Sequence, residues 1–364
     1  LRVEEANRAG MALNQDRQRP KIRGFDRTAA HMLYQHTLAP LEPVIGGAAH
    51  LMVVFDGPLT SLPPAVLVAR PPEGEDTAPQ ALRDTDWLLK RHALTTLPNV
   101  SALRALRQAA PPRIQEARAP SFVGFGDPLL GYRLADAEGA VAPEPDQVVT
   151  RGIYEDVRRV ADLAPLPNTA KELRRLAATM GVGPDSVHLA RAATETAVKS
   201  IDMSDADVVA FATHGLLADG LPGLSEPALV FTPPDVPSAE DDALLTASEA
   251  AQLKLSADLV ILSACDTAGS DGTPGAEGLS GLARAFIYAG ARAILVSHWP
   301  VDDYAASVLT TGMLDRMYAS DPRSRAEALQ HSALDILADT SQDRFAHPRI
   351  WAPFVVVGEG GLDG

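Results

Sequence analysis

Residues 258–303 read DLVILSACDTAGSDGTPGAEGLSGLARAFIYAGARAILVSHWPVDD and contain the only cysteine of the chain. Residues 258–264 run apolar, with Val260 and Ile261 among them, and stop at Cys265 before a segment rich in Gly, Asp, Thr and Pro. That is the pattern of a buried strand ending at the thiol. From Gly278 the apolar residues Leu279, Leu282, Ala283, Phe286, Ile287 and Ala289 recur at helical spacing, and Gly290 is placed to end the helix. A second apolar run, 293–296, leads into His298, Trp299 and Pro300. Strand, helix and strand of this length predict a crossover between parallel strands. The thiol then lies at the carboxyl edge of a parallel sheet, where open α/β folds carry their sites.

A lone cysteine needs a base, because a thiol of pKa ~8.5 is only about 3% thiolate at pH 7. The stretch DVVAFATHG at 207–215 repeats the same grammar, an apolar run at 208–212 ended by His214 and Gly215. If the two strands are parallel neighbours, both carboxyl ends reach one edge and set His214 beside Cys265, although 51 residues separate them. A histidine about 50 residues ahead of a nucleophilic cysteine is also the spacing of caspases.

The chain resembles the CHAT domains, caspase-like cysteine peptidases related to separase. The residues that carry the likeness are ATHG at 212–215, DDALLTASEAAQLKL at 241–255, LVILSACDTAG at 259–269, EGLSGLARAFIYAGARAILVSHWPVDD at 277–303 and HPRIWAPFVVVGEGG at 347–361. Fainter similarity reaches back to LYQHTLAPLEPVI at 33–45 and LMVVFDGPLTSLPPAVL at 51–67. The resemblance implies His214 as general base and Cys265 as nucleophile, with the backbone amides of Gly215 and Cys265 holding the oxyanion. HWPVDD resembles the LWDVTD of separases, where an acid receives the basic residue before the cut. It implies Asp303 as a pocket acid that favours Arg or Lys there, with Trp299 as a wall and His298 lining the pocket. Against that stands a helix-capping role for Asp302 or Asp303. No third catalytic residue is evident, since Asp266 adjoins the nucleophile in sequence and need not face it.

The resemblance also sets the organisation. Residues 151–364 are expected to form the caspase-like catalytic region, a doubly wound, mostly parallel α/β sheet flanked by helices. Residues 1–150 are expected to be a companion region of pseudo-protease type, as in separase. CHAT domains often follow tetratricopeptide repeats and act in regulated systems, including bacterial defence. A protein substrate and an upstream repeat region or regulatory partner are therefore the expected partners. The start, LRVEEANRAG, without an initiator Met, reads as a piece of a longer polypeptide.

Bulk properties bound the alternatives. With 364 residues, 46% of them hydrophobic, the chain can bury a large core. A net charge of −15 and no long basic run argue against a nucleic-acid surface. No apolar stretch reaches the ~18 residues of a spanning helix, and a single cysteine cannot form an internal disulfide. The expectation is a soluble, cytoplasmic chain without metal or cofactor, as HExxH, GxSxG and Gly-rich GK[ST] patterns are lacking. GFGDPLLG at 124–131, with Gly124 and Gly126, imitates a dinucleotide loop, but Pro128 and the Pro- and acid-rich stretch beyond it replace the required helix.

Elsewhere the pattern predicts helices over 27–45 with a break at Pro40, and over 101–109, 154–164, 170–180, 193–201, 304–318 and 325–338. Strands are predicted over 50–56, 87–97, 121–126, 187–190 and 354–357, with loops over 71–84 and 131–149. His31 and His36 are expected at the surface, and His331 and His347 in structural roles. Two rival functions stay open, a catalytically silent scaffold and a non-proteolytic acyl transferase or thiol hydrolase. The isolated domain could also be latent until a partner orders the loops around Cys265.

Overall fold

The computed structural model describes residues 24–109, 119–130, 160, 163–166, 168–218, 221, 223–238, 240–263, 280–299 and 301–361. Eleven strands occur among them: β1 (His50–Val53), β2 (Ala93–Thr96), β3 (Phe122–Gly126), β4 (Val187–Leu189), β5 (Val208–Ala212), β6 (Gly215–Leu216), β7 (Ala228–Val230), β8 (Leu244–Thr246), β9 (Leu259–Leu262), β10 (Ala293–Ser297) and β11 (Phe354–Gly358). The longer helices are α1 (Arg27–Thr37), α2 (Val100–Ala109), α3 (Thr169–Thr179), α4 (Ser280–Tyr288), α5 (Asp303–Met317) and α6 (Arg325–Ala338).

Eight strands form one sheet in the order β1-β2-β11-β10-β9-β5-β3-β4. Every neighbouring pair is parallel except β10 and β11. The expected doubly wound, mostly parallel sheet is therefore present. The last strand does not extend the parallel set, because β11 runs against β10 and with β2. The sheet continues across residue 150: β1 and β2 join it through β11, and β3 joins it between β5 and β4.

The central strands are apolar at nearly every position because both of their faces are covered. Side chains alternate between the two faces. Val208, Ala210 and Ala212 of β5, Leu259 and Ile261 of β9, and Leu295 of β10 enter one core with Leu173 and Leu176 of α3, Leu309 and Met313 of α5, and Ala333 and Ile336 of α6. Val209 and Phe211, Val260 and Leu262, and Ile294 and Val296 enter the other, against Leu282 and Phe286 of α4. Gly290 ends α4 at φ +115°, and a Cβ there would lie 2.1 Å from the Leu255 carbonyl oxygen, so only glycine fits the turn into β10.

At the amino edge of this sheet four charged residues are buried together. Asp258 precedes β9, Arg292 precedes β10, and Glu359 follows the antiparallel β11, which the register returns to the same edge. Arg292 pairs with Glu359, and Arg325 of α6 reaches Asp258 at 3.1 Å. Burial pulls the Arg325 guanidinium below its usual range, against the opposing pull of Asp258.

Several local expectations need correction. The strand predicted over 87–97 is a one-turn helix, Leu88–Arg91, followed by β2. Its apolar residues face inward because Leu88, Leu89 and Trp87 pack into the core, with the Trp87 Nε1–H donating to the Leu82 carbonyl at 2.8 Å. The loop expected over 71–84 contains a helix, Pro79–Asp84, begun by proline at its first position. The segment after β1 forms 3-10 turns at Gly57–Ser61 and Pro64–Val66. His31 is buried, not superficial, because its Nδ1 lies 2.9 Å from the Val68 carbonyl across the core. Most of the helix expected over 154–164, and the loop over 131–149, lie outside the described residues.

Candidate active site

The chain leaves β5 through Thr213 and His214 and enters a second, three-stranded sheet of order β6-β7-β8. The Thr213 hydroxyl donates to the Val230 carbonyl, and the Val230 N–H donates to the His214 carbonyl at 2.9 Å. These bonds hold the backbone of His214 at the junction of the two sheets. His214 and Val230 thus form a hydrogen-bonded pair of the antiparallel ladder. The next pair, Gly215 and Leu229, is then of the kind whose backbone groups point away from each other. Because β6 is an edge strand, the Gly215 N–H is directed off the open side of this small sheet.

The imidazole is half-buried, and its Nε2 lies 2.7 Å from the Ala164 carbonyl oxygen. A carbonyl can only accept, so Nε2 carries the proton. In the neutral ring Nδ1 then holds the lone pair and is the basic atom. The Ala164 carbonyl is an orienting partner that sequence patterns do not reveal, since every residue has such a group and only the fold selects this one. Pro165, directly after it, and Pro167 are the local hints of a rigid backbone there.

Strands β5 and β9 are parallel neighbours, as the sequence led us to expect. Val208 pairs with Leu259 and Phe211 with Leu262, an offset of 51 residues. The Ser263 N–H continues the ladder, donating to the Phe211 carbonyl at 2.9 Å. Cys265 and Asp266 lie outside the described residues. On the far side of β9, β10 ends in His298 and Trp299. The His298 N–H donates to the Pro353 carbonyl at 2.8 Å, and its ring Nδ1 is buried with no hydrogen-bond partner among the described residues. Burial pushes this imidazole down to about 4, opposed by a hydrogen bond with the Ser61 backbone, so it is neutral at pH 7. The Trp299 Nε1–H donates to the Arg349 carbonyl at 3.0 Å, and its ring packs against the core.

Asp302 is the N-cap of α5, its Oδ1 accepting from Tyr304 N–H at 3.2 Å and Ala305 N–H at 3.3 Å. The capping role anticipated for one of the two acids belongs to Asp302, and Asp303 is the first residue of the helix. His347 caps the short helix Pro348–Trp351, its Nδ1 accepting from Arg349 N–H at 3.1 Å.

Among the described residues no group of three or more His, Cys, Asp or Glu is arranged to hold a metal ion, and no helix is long and apolar enough to cross a membrane. A cleft of about 760 Å³ lies away from His214, lined by Tyr34, Glu42, Arg70, Asp86, Lys90 and Arg91 among others. Its charges largely satisfy one another: Arg91 reaches Asp86 at 2.5 Å and Glu42 at 3.0 Å, and Arg70 reaches Asp86 at 3.3 Å. Burial and the adjoining Glu42 push the Tyr34 hydroxyl up to about 12.

The family model described as CHAT domain matches residues 27–359. Tetratricopeptide repeat protein 28 of Homo sapiens is 25% identical over 376 residues, covering 92% of this chain. Its Mus musculus counterpart is 26% identical over 367 residues, covering 90%. The chain spans 13% of the length of each of these relatives. Among solved structures, the Saccharomyces cerevisiae separase–securin complex matches 78% of this chain and 15% of that one, with 14% identity and a TM-score of 0.36. The Porphyromonas gingivalis RgpB pro- and mature domains match 74% of this chain and 56% of that one, with 10% identity and a TM-score of 0.41. At such scores the likeness to these structures carries no argument about chemistry.

Proposed function

This chain belongs to the CHAT domain family, and on that premise we propose that it is a cysteine endopeptidase whose His214 and Cys265 act as a dyad. The observation that carries the reading is the register: β5 and β9 pair with an offset of 51 residues, the same separation that divides His214 from Cys265. In this mechanism His214 Nδ1 takes the thiol proton, the ring held by Nε2–H on the Ala164 carbonyl. The sulfur attacks the scissile carbonyl carbon, and the oxyanion is met by the N–H groups of Gly215 and Cys265. The proton then passes to the leaving amine as the C–N bond breaks, leaving a thioester. Water, giving its proton to His214, releases the acid and restores the thiol.

The substrate is a protein cut after a basic residue, received by Asp303 as the pocket acid, with Trp299 as a wall and His298 lining the pocket. In this reading residues 1–150 are the companion region and 151–364 the catalytic region. An upstream repeat region or a regulatory partner controls the site in a cytoplasmic, bacterial defence setting. The relatives' name, that of a repeat protein, supports the repeat context. That same name, which denotes no peptidase, favours the second reading of a catalytically silent interaction domain.

The test is cleavage of a diverse peptide library by the wild type, Cys265→Ala and His214→Ala, joined to labelling of Cys265 by peptidyl electrophiles. Cleavage after Arg or Lys, lost in both variants, is the expected result. An unlabelled Cys265 and intact peptides would favour the silent domain.

A further inference from the structure

The strand end GFGD at 124–127, which imitates a dinucleotide loop in sequence, has a packing task in the fold. β3 runs beside β5, and their last pair, Gly126 with Ala212, lies two residues before His214. A Cβ on Gly126 would sit 2.5 Å from the Ala212 carbonyl oxygen and 2.7 Å from Leu173 Cδ1, so α3 closes onto the strand ends only over glycine. Asp127 turns out of the strand at φ +49°, a conformation that aspartate tolerates better than most residues. Its N–H donates to Thr169 Oγ1 at 3.0 Å, and the Thr169 hydroxyl donates to the Leu166 carbonyl at 2.8 Å. The Thr169 N–H reaches the same carbonyl at 3.2 Å. Two residues before Leu166, the Ala164 carbonyl accepts from His214 Nε2 at 2.7 Å. The end of β3, the head of α3 and the 164–166 segment therefore meet at one hydroxyl.

We propose that Thr169 is a positioning residue for His214: its hydroxyl ties the end of β3 to the 164–166 segment and so fixes the carbonyl that orients the imidazole. This rests on the reading of His214 as the general base. A hydroxyl has a single proton, and here that proton goes to Leu166 while the oxygen receives the Asp127 N–H, so both ends of the bridge are set. The place of the Ala164 carbonyl follows from the bridge, and the direction of the His214 ring follows from the carbonyl. Misplacing a catalytic group by about 1 Å costs on the order of 100-fold in rate. Thr169 therefore acts on the chemical step and not on substrate affinity.

The ring is read by long-range proton–nitrogen NMR of histidine-labelled protein, in a Cys265→Ala background so that its tautomer does not depend on the thiol, with His214→Gln to assign the signal. His31 and His92 serve as internal references, because their Nδ1 atoms, 2.9 Å and 2.6 Å from the Val68 and Ala48 carbonyls, carry the proton. His214 should show the pure Nε2–H form in the parent and in Thr169→Ser, which keeps the hydroxyl. In Thr169→Val, and in the smaller Thr169→Ala, its Nδ1 signal should shift towards the average of the two tautomers while His31 and His92 stay unmoved. With Cys265 present, labelling by a peptide chloromethyl ketone should show kinact falling roughly tenfold in Thr169→Val and Thr169→Ala at unchanged KI, and restored in Thr169→Ser. A His214 signal that does not shift, that shifts only together with His31 and His92, or that shifts with kinact unchanged overturns the role of Thr169 and leaves the dyad standing. A wild type that takes no label overturns the dyad and this inference with it, whatever the ring signals show.

Discussion

The two edges of the central strands place polar groups under opposite rules. At the amino edge Asp258, Arg292, Arg325 and Glu359 are buried, and each charge has an oppositely charged neighbour. At the carboxyl edge His214, Ser263, His298 and Trp299 are half-buried, and the polar atoms with chemistry to offer, Nδ1 of His214 and N–H of Gly215, are turned away from their structural partners. Paired charges hold a fold together, and a side chain held in place through one atom can offer another to a reaction. The same strands therefore serve stability at one end and carry the candidate site at the other.

The contrast can be tested by removing groups at each edge. The largest effect is expected on activity: His214→Ala should lower peptide cleavage on the order of 10²–10⁴-fold while leaving the urea midpoint nearly unchanged. A comparable loss of stability would mean that the carboxyl edge is structural as well. Next, Asp258→Asn should cost about 3–5 kcal/mol in urea unfolding, because it leaves Arg325 and Arg292 buried with too little negative charge. The paired replacement of Asp258 by Leu and Arg325 by Met should cost less than either single change. If the double variant were the worst of the three, the network would be a net stabiliser and not a matched set.

A smaller effect concerns pH. The folded His298, at about 4, lies below the ordinary unfolded value of 6.5, so the unfolded chain binds the extra proton between them. The stability from keeping this ring neutral is complete above pH 6.5 and declines as pH falls towards 4, by on the order of 2–3 kcal/mol. Burial lowers His50 and His188 in the same direction, so the comparison needs His298→Phe, in which that portion of the pH slope should vanish. An identical slope in wild type and variant would show that the ring is not neutralised by burial. Smallest of all, Arg316→Ala should change stability by no more than about 0.5 kcal/mol. Its 2.5 Å pair with Asp335 joins side chains that are 30% and 64% exposed, and water and salt screen it.

The central strands were legible because they are buried on both faces and so read as unbroken apolar runs between Gly- and Pro-rich breaks. VVAFA at 208–212 and LVIL at 259–262 became β5 and β9 in the expected orientation. Residues 87–97 misled because a one-turn helix that buries Leu88 and Leu89 leaves the same local trace as a half-buried strand. β11 was legible as a strand but not in its direction, because its apolar run is compatible with either one and only its partners β10 and β2 set it.

The amino-acid sequence by itself determined that this is a mostly parallel α/β chain of the CHAT family, with His214 and the one cysteine at the ends of two apolar runs. Those properties are local, residing in composition, periodicity and motif. Tertiary structure alone decided which strands are neighbours and with what offset, which nitrogen of His214 is bonded to the Ala164 carbonyl, and that Asp302, tied to Arg344, caps α5. Each of these depends on a partner distant in sequence, among them the Ala164 carbonyl 50 residues away and Arg344 42 residues away. Contacts of that kind leave no periodic trace in the chain and exist only once the core has closed.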